Sequence, residues 1–228
     1  MFSPGVRIIV WLCVIAYYSQ HLYYPLFDKT FSLSYIGSEL FSSYQFVTYG
    51  FLHGDFYHIF VNLFILAIFG NRLEAEKLGT RNFLVLFILG VIGGGMMQTL
   101  SNMVYVASIC GTPFPTGSII HPVEQLRFIL DNGYEINTIY AKTTLGASGG
   151  VFGVLLAFAV LYPRHYVNLL FIQLNARFII TLYVAMEIVN GIYSPFGPIA
   201  HFAHLGGALF GIGYAYIISK TRKSDILA

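Results

Sequence analysis

Residues 144–163 read TLGASGGVFGVLLAFAVLYP, a run without a single charge between Lys142 and Arg164. The hydrocarbon core of a bilayer takes about 20 apolar residues of helix, and this run has that length. Its first half is crowded with small residues: Gly146, Ala147, Ser148, Gly149, Gly150 and Gly153. An apolar segment with a small-residue face suits a helix that packs closely against other helices inside a membrane. The rest of the chain agrees. Hydrophobic residues make up 57% of it and charged residues 10%, where a soluble domain carries about a quarter charged. With 12 basic and 10 acidic side chains among 228 residues, a water-soluble fold lacks the charge to cover its surface. In lipid, only helices and closed barrels satisfy the backbone. The apolar runs are continuous rather than alternating, which selects helices.

Working outward, apolar windows, five of them free of charge, mark six candidate spans: 8–24, 56–71, 82–108, 144–163, 176–193 and 199–219. The fifth contains Arg177 and Glu187. The expectation is an all-α polytopic bundle forming a single domain over 1–228. Arg7 before an apolar run resembles a signal peptide, but no small-x-small cleavage site follows, so the run reads as a retained first helix. Alternating the spans from a cytoplasmic N-terminus collects Arg7, Arg72, Lys77, Arg81, Arg164, Arg177, Lys220, Arg222 and Lys223 on the cytoplasmic side. Lys29, Arg127 and Lys142 are left on the other. By the positive-inside rule both termini are cytoplasmic, and a compact, short-tailed chain suits a bacterial cell membrane. Two far-side loops are long, about 25–55 and 110–143. Pro122, Glu124 and Asn132-Gly133 predict a short helix within the second.

The net charge of +2 suggests no nucleic-acid partner. Cys13 and Cys110 form no CxxC pair, so neither a metal cluster nor a disulfide framework is read here, and no cofactor is implied.

Polar residues concentrate at one depth. The second, fourth and sixth spans all run inward from the far side. Near their starts they carry His58 and Asn62, then Ser148, then His201 and His204. At about 1.5 Å per residue, Ser148 and His204 fall about 6–9 Å below the far interface. Polar groups at such depth are costly and point to function. A serine hydroxyl becomes a nucleophile when a neighbouring base takes its proton, and His204 is the candidate base. The oxyanion formed in amide hydrolysis needs donors already in place. His58 and Asn62, one turn apart on one face, can supply them, as can the Ser148 backbone N–H. Gly149/Gly153 and Gly207/Gly211 are GxxxG pairs that let two helices approach closely. With no orienting acid evident in this layer, the reading is a dyad rather than a triad.

Each residue also has a plainer reading. Ser148 can be a small packing residue, His204 a histidine bonded to a carbonyl, and His58 with Asn62 an interhelical hydrogen bond holding the first loop. His53 and His201 read as structural, and Glu187 as a buried partner or a solvated interfacial acid. Among functions, a transporter would show paired repeats and broken helices, and neither is found. There is no HExxH motif and no pair of intramembrane aspartates.

GASGG followed by Phe152-Gly153, AHLGGALFG over 203–211, and the HxxxN element His58–Asn62 with His53 upstream resemble the rhomboid family of intramembrane serine proteases. The likeness covers nearly the whole chain, from the first apolar run through the sixth. It implies a six-transmembrane-helix rhomboid-like bundle around a water-filled cavity open to the non-cytoplasmic side. Ser148 would be nucleophile, His204 general base, and His58 and Asn62 would stabilise the oxyanion. The implied substrates are single-pass membrane proteins, entering laterally near the second and fifth helices and cut near a small residue. The loop after the first helix is expected to lie partly in the membrane interface. Phe152 stands where some members carry a tyrosine that packs on the histidine. The Glu74/Glu76 region matches the family's first-loop pattern only loosely. A non-catalytic rhomboid-like scaffold that binds membrane helices is the nearest alternative.

Overall fold

The computed structural model describes residues 2–114, 143–169, 172–193 and 199–227. The short helix expected from Pro122 to Gly133 lies outside the described residues. Helix dominates. Helix α1 spans Pro4–Leu22, and the first long loop carries two short helices, α2 (Leu26–Phe31) and α3 (Gln45–Thr48). The second apolar segment begins with α4 (Phe56–Ile65). It continues through wider π turns at Leu66–Gly70, α5 (Asn71–Leu73) and a second π stretch at Glu74–Leu78. Then follow α6 (Gly79–Cys110), α7 (Ser148–Leu161), α8 (Ala176–Tyr193) and α9 (His201–Leu227).

Among the described residues, four stretches are long and apolar enough to cross a membrane: Pro4–Leu22, Phe56–Ser108, Ala176–Tyr193 and His201–Thr221. The second of these holds two helices. At Gly79 the backbone takes φ +70°, and the Phe83 ring beyond it packs back on Gly70. A helix that ran straight through would hold those residues about 20 Å apart, so the chain reverses there.

The spans differ from expectation at their ends. The first starts at Pro4 rather than near residue 8, because Pro suits the first helical turn. The second runs on to Leu78 rather than stopping at 71, and the third reaches Cys110. The fifth falls on 176–193 as read. The sixth begins at His201 and extends to Leu227, past the basic cluster. The largest change is the fourth. It covers only Ser148–Leu161, 14 residues or about 21 Å, and every residue from Gly149 to Ala159 is buried. A helix apolar on all sides belongs at the centre of a bundle, and α7 is surrounded there by α4, α6, α8 and α9. An antiparallel pair of strands, β1 (Tyr166–Leu169) with β2 (Ile172–Asn175), follows it, which the apolar windows do not predict.

The first long loop is tied down by two side chains. The buried Gln45 amide donates to the Thr30 and Leu40 carbonyls at 3.1 and 2.9 Å and accepts from the Ser34 and Ser42 amides at 3.1 and 3.3 Å. Tyr49 reaches into the bundle, where its hydroxyl donates to the Val91 carbonyl at 2.6 Å. At the opposite end, the buried Glu74 carboxylate accepts from the Gly5 and Val6 amides at 2.7 and 3.0 Å, and from the Ser3 and Thr80 hydroxyls at 2.5 and 2.7 Å. The first amides of a helix lack intrahelical partners and carry partial positive charge. Glu74 satisfies two of them and so clasps α1 to the second apolar segment.

Candidate active site

The approach to Ser148 is set by the chain before it. Thr144 pairs with Leu33 of the first loop through two backbone hydrogen bonds of 2.9 Å, and the Gly146 amide donates to the Tyr49 carbonyl at 3.0 Å. Gly146 then adopts φ +134°, a conformation that side-chain-bearing residues avoid. A Cβ at Gly146 would lie 2.9 Å from His58 Nε2 and 3.6 Å from Ser148 Oγ. The glycine therefore opens the space that the His58 ring and the serine hydroxyl share. The next amide, Ala147 N–H, donates to His53 Nε2 at 3.4 Å. These constraints start the helix at Ser148 itself, rather than one turn earlier at residue 144. The half-buried serine stands at the helix N-terminus, where backbone N–H groups have no intrahelical acceptor.

His58 is placed by a capped helix start. The Asp55 carboxylate accepts from the His58 amide at 2.8 Å, the usual role of an N-cap aspartate. Asn62 is buried one turn later, and its amide donates to the His58 carbonyl at 2.9 Å. The His53 and His58 rings meet edge to face at 5.1 Å. Burial, with the nearby His58 ring adding to it, pushes the His53 imidazole down to about 3. His53 is thus a neutral acceptor beneath the start of the serine helix, as its structural reading expected.

His204 comes from α9. Glycines bring that helix in: a Cβ on Gly207 would fall 2.0 Å from the Gly149 carbonyl oxygen, and one on Gly211 would fall 2.2 Å from that of Gly153. The two GxxxG pairs thus face each other, as the spacing predicted. The His204 ring stacks on Phe152 with centroids 4.4 Å apart and planes 8° from parallel. Phe152 lies one turn beyond Ser148 on the same helix face. The imidazole therefore sits over the face that carries the serine.

The expectation that no acid belongs to this layer is wrong. Glu187 Oε2 on α8 lies 2.9 Å from His204 Nδ1 and 2.6 Å from His201 Nδ1. All three residues are buried, at 4%, 8% and 7% exposure for Glu187, His204 and His201. Of the two readings of Glu187, the buried partner describes this arrangement and the solvated acid does not, while His201 is a buried histidine bonded to that carboxylate. A buried carboxylate in a membrane helix requires partners, and two imidazoles supply them. The ligand-capable atoms of the three lie within 4.8 Å of one another, a donor set also suited to a small cation. The hydrogen bonds already account for the three atoms. The sequence holds a partial signal for the cluster, since Glu187 is the one acid in the fifth span and His201 and His204 are one turn apart, but not the pairing of the two helix faces.

The comparisons with known proteins agree with this architecture. The "Rhomboid protein 1, mitochondrial" of Saccharomyces cerevisiae is 28% identical over 177 residues, covering 77% of this chain and 42% of the yeast protein. The "Rhomboid-like protein 16, chloroplastic" of Arabidopsis thaliana is 30% identical over 118 residues, covering 52% of this chain and 31% of the plant protein. The chain thus spans less than half the length of either relative. A family profile described as "Rhomboid domain" matches residues 41–221, which include every site residue described above. This multi-pass membrane chain therefore belongs to the rhomboid family.

Proposed function

We propose that the chain is an intramembrane serine endopeptidase that hydrolyses peptide bonds in or near the transmembrane segments of single-pass membrane proteins. In this reading the bundle crosses the membrane six times as one domain. The excess of Lys and Arg at one set of helix ends puts both termini in the cytoplasm. A bacterial cell membrane is the proposed location; the organellar names of the two relatives belong to those proteins.

The observation that carries the reading is the stack of His204 on Phe152, one turn from Ser148 along the same helix face. His204 takes the proton from the Ser148 hydroxyl as the oxygen attacks the scissile carbonyl, then returns it to the departing amine. The tetrahedral intermediate's oxyanion is held by the His58 ring, by the second N–H of the Asn62 amide and by the Ser148 backbone N–H. Water then hydrolyses the acyl-enzyme by the same base. The short α7 supports water access, because its first residue stands below the ends of the longer helices around it. Phe152 fills the tyrosine's place, packing on His204 with its ring alone.

The test is cleavage of a generic transmembrane substrate by purified protein in detergent, with Ser148→Ala and His204→Ala beside the wild type. Wild-type cleavage reduced to background by either change is the expected result. Cleavage that survives both changes rejects the mechanism, and binding of the substrate helix without any cleavage favours a scaffold.

A further inference from the structure

A neutral histidine can act as a base only through the nitrogen that lacks a proton, and what the other nitrogen bonds decides which one that is. His204 Nδ1 is 2.9 Å from Glu187 Oε2. An ionised carboxylate only accepts hydrogen bonds, so the proton resides on Nδ1 and the lone pair is left on Nε2. The Phe152 stack fixes the plane of the ring, and the Glu187 contact fixes its rotation within that plane. Together they leave the ring one orientation. Glu187 is itself held from a second side, because His201 Nδ1 approaches the same oxygen at 2.6 Å. His201 and His204 lie one turn apart on α9, so a single carboxylate on α8 bridges both.

We propose that Glu187 is a positioning residue that holds His204 in the Nδ1–H tautomer, turns Nε2 toward Ser148, and stabilises the imidazolium formed when the serine proton is taken. His201 anchors that carboxylate by donating a second hydrogen bond. The site then works as a serine, a histidine and an orienting acid, each on a different helix. This rests on the assignment of His204 as the base.

Glu187→Gln keeps the shape of the side chain but removes the charge that stabilises the imidazolium, and where its amide N–H rather than its oxygen faces Nδ1 it also reverses the tautomer. In full-length protein the expected result is a fall in kcat of about 100-fold or more, with KM within about twofold. The rate of Ser148 labelling by a fluorophosphonate should fall in parallel. A packing role alone would lower the melting temperature while leaving kcat of the folded protein within about twofold of wild type, and that outcome overturns the proposal. A second measurement needs no change at Glu187. In wild-type protein carrying ring-labelled histidine, the carbon and nitrogen shifts of His204 report its tautomer. The expected result is a protonated Nδ1 with a bare Nε2. A protonated Nε2 with a bare Nδ1 overturns the proposal even if Glu187→Gln does not fold. Because the tautomer is read without turnover, a wild-type protein that cleaves nothing would reject the protease reading while this result still decides the role of Glu187.

Discussion

Gly207 of α9 lies directly on the backbone of Gly149 in α7, so close that a Cβ would meet the Gly149 carbonyl oxygen at 2.0 Å. Within lipid, helices are not driven together by the hydrophobic effect, and close packing of small residues takes its place. The contact sits immediately beside the residues proposed to react: Gly149 follows Ser148, and Gly207 is three residues past His204.

Gly207→Ala should therefore separate the two helices. The clash is with backbone, which cannot rotate away, so the destabilisation belongs at the upper end of overpacking, about 3 kcal/mol. Gly213, on the same helix, has open space around its Cβ position. Gly213→Ala should be neutral or stabilise by up to about 1 kcal/mol, through helix propensity alone. Thermal unfolding and cleavage rates of the two variants check this. Equal behaviour of the pair would contradict it.

Phe152 stacks on His204 and also meets the Tyr183 ring, whose centroid is 4.9 Å from its own. Phe152→Leu keeps much of the volume but loses the flat surface that fixes the imidazole plane. We expect about a tenfold loss of kcat with the fold retained, since small misplacements at a reacting group cost rate steeply. Phe152→Ala should also lose about 3–5 kcal/mol of stability to the cavity. Activity assays alongside circular dichroism distinguish the two effects.

Much of this arrangement was legible in the sequence. Each apolar window fell on helix in the described residues, and the small-residue spacing at Gly149/Gly153 and Gly207/Gly211 predicted which faces would meet. Ser148 and His204 stood out because polar residues are rare at that depth. Glu187 was misjudged for a physical reason. Its partners are 14 and 17 residues away on another helix, and whether two helix faces oppose each other depends on rotations that hydropathy does not encode. The late start of α7 was hidden because glycine and alanine read equally well as apolar helix. Only the φ of Gly146, imposed by the neighbouring loop and the His58 ring, ends the helix there. The strand pair β1 and β2 was not legible because the strands are four residues each, too short for alternation to register between two long helices.

Glu74 illustrates a contact of the same long-range kind at the other end of the bundle. Glu74→Ala leaves the Gly5 and Val6 amides and the Thr80 hydroxyl without their acceptor. Unsatisfied buried donors cost about 1–3 kcal/mol each. A loss of at least about 2 kcal/mol is expected by thermal unfolding. Turnover per folded molecule should stay near wild type, because Glu74 lies about 24 Å along its helix series from His58. A selective loss of kcat with unchanged stability would contradict this role.

His53 gives the fold a pH dependence. Its folded-state value, about 3, lies below the ordinary histidine value of about 6.5. The neutral form is favoured by folding, so its contribution is fully present above pH 6.5 and is lost as pH falls from there toward 3. Each pH unit in that window removes up to about 1.4 kcal/mol. His53→Gln retains an acceptor for the Ala147 amide and does not titrate. Its melting temperature should therefore fall less than that of wild type between pH 7 and pH 5. Parallel curves for the two proteins would show that His53 is not responsible.

The central claim is that Ser148 is a nucleophile activated by His204. The most direct measurement is covalent capture: the protein in detergent is treated with a fluorophosphonate, digested, and the modified residue located by mass spectrometry. One adduct is expected, on Ser148, formed by wild type and absent from His204→Ala. No adduct on Ser148, or labelling of Ser148 that is equally fast without His204, would contradict it.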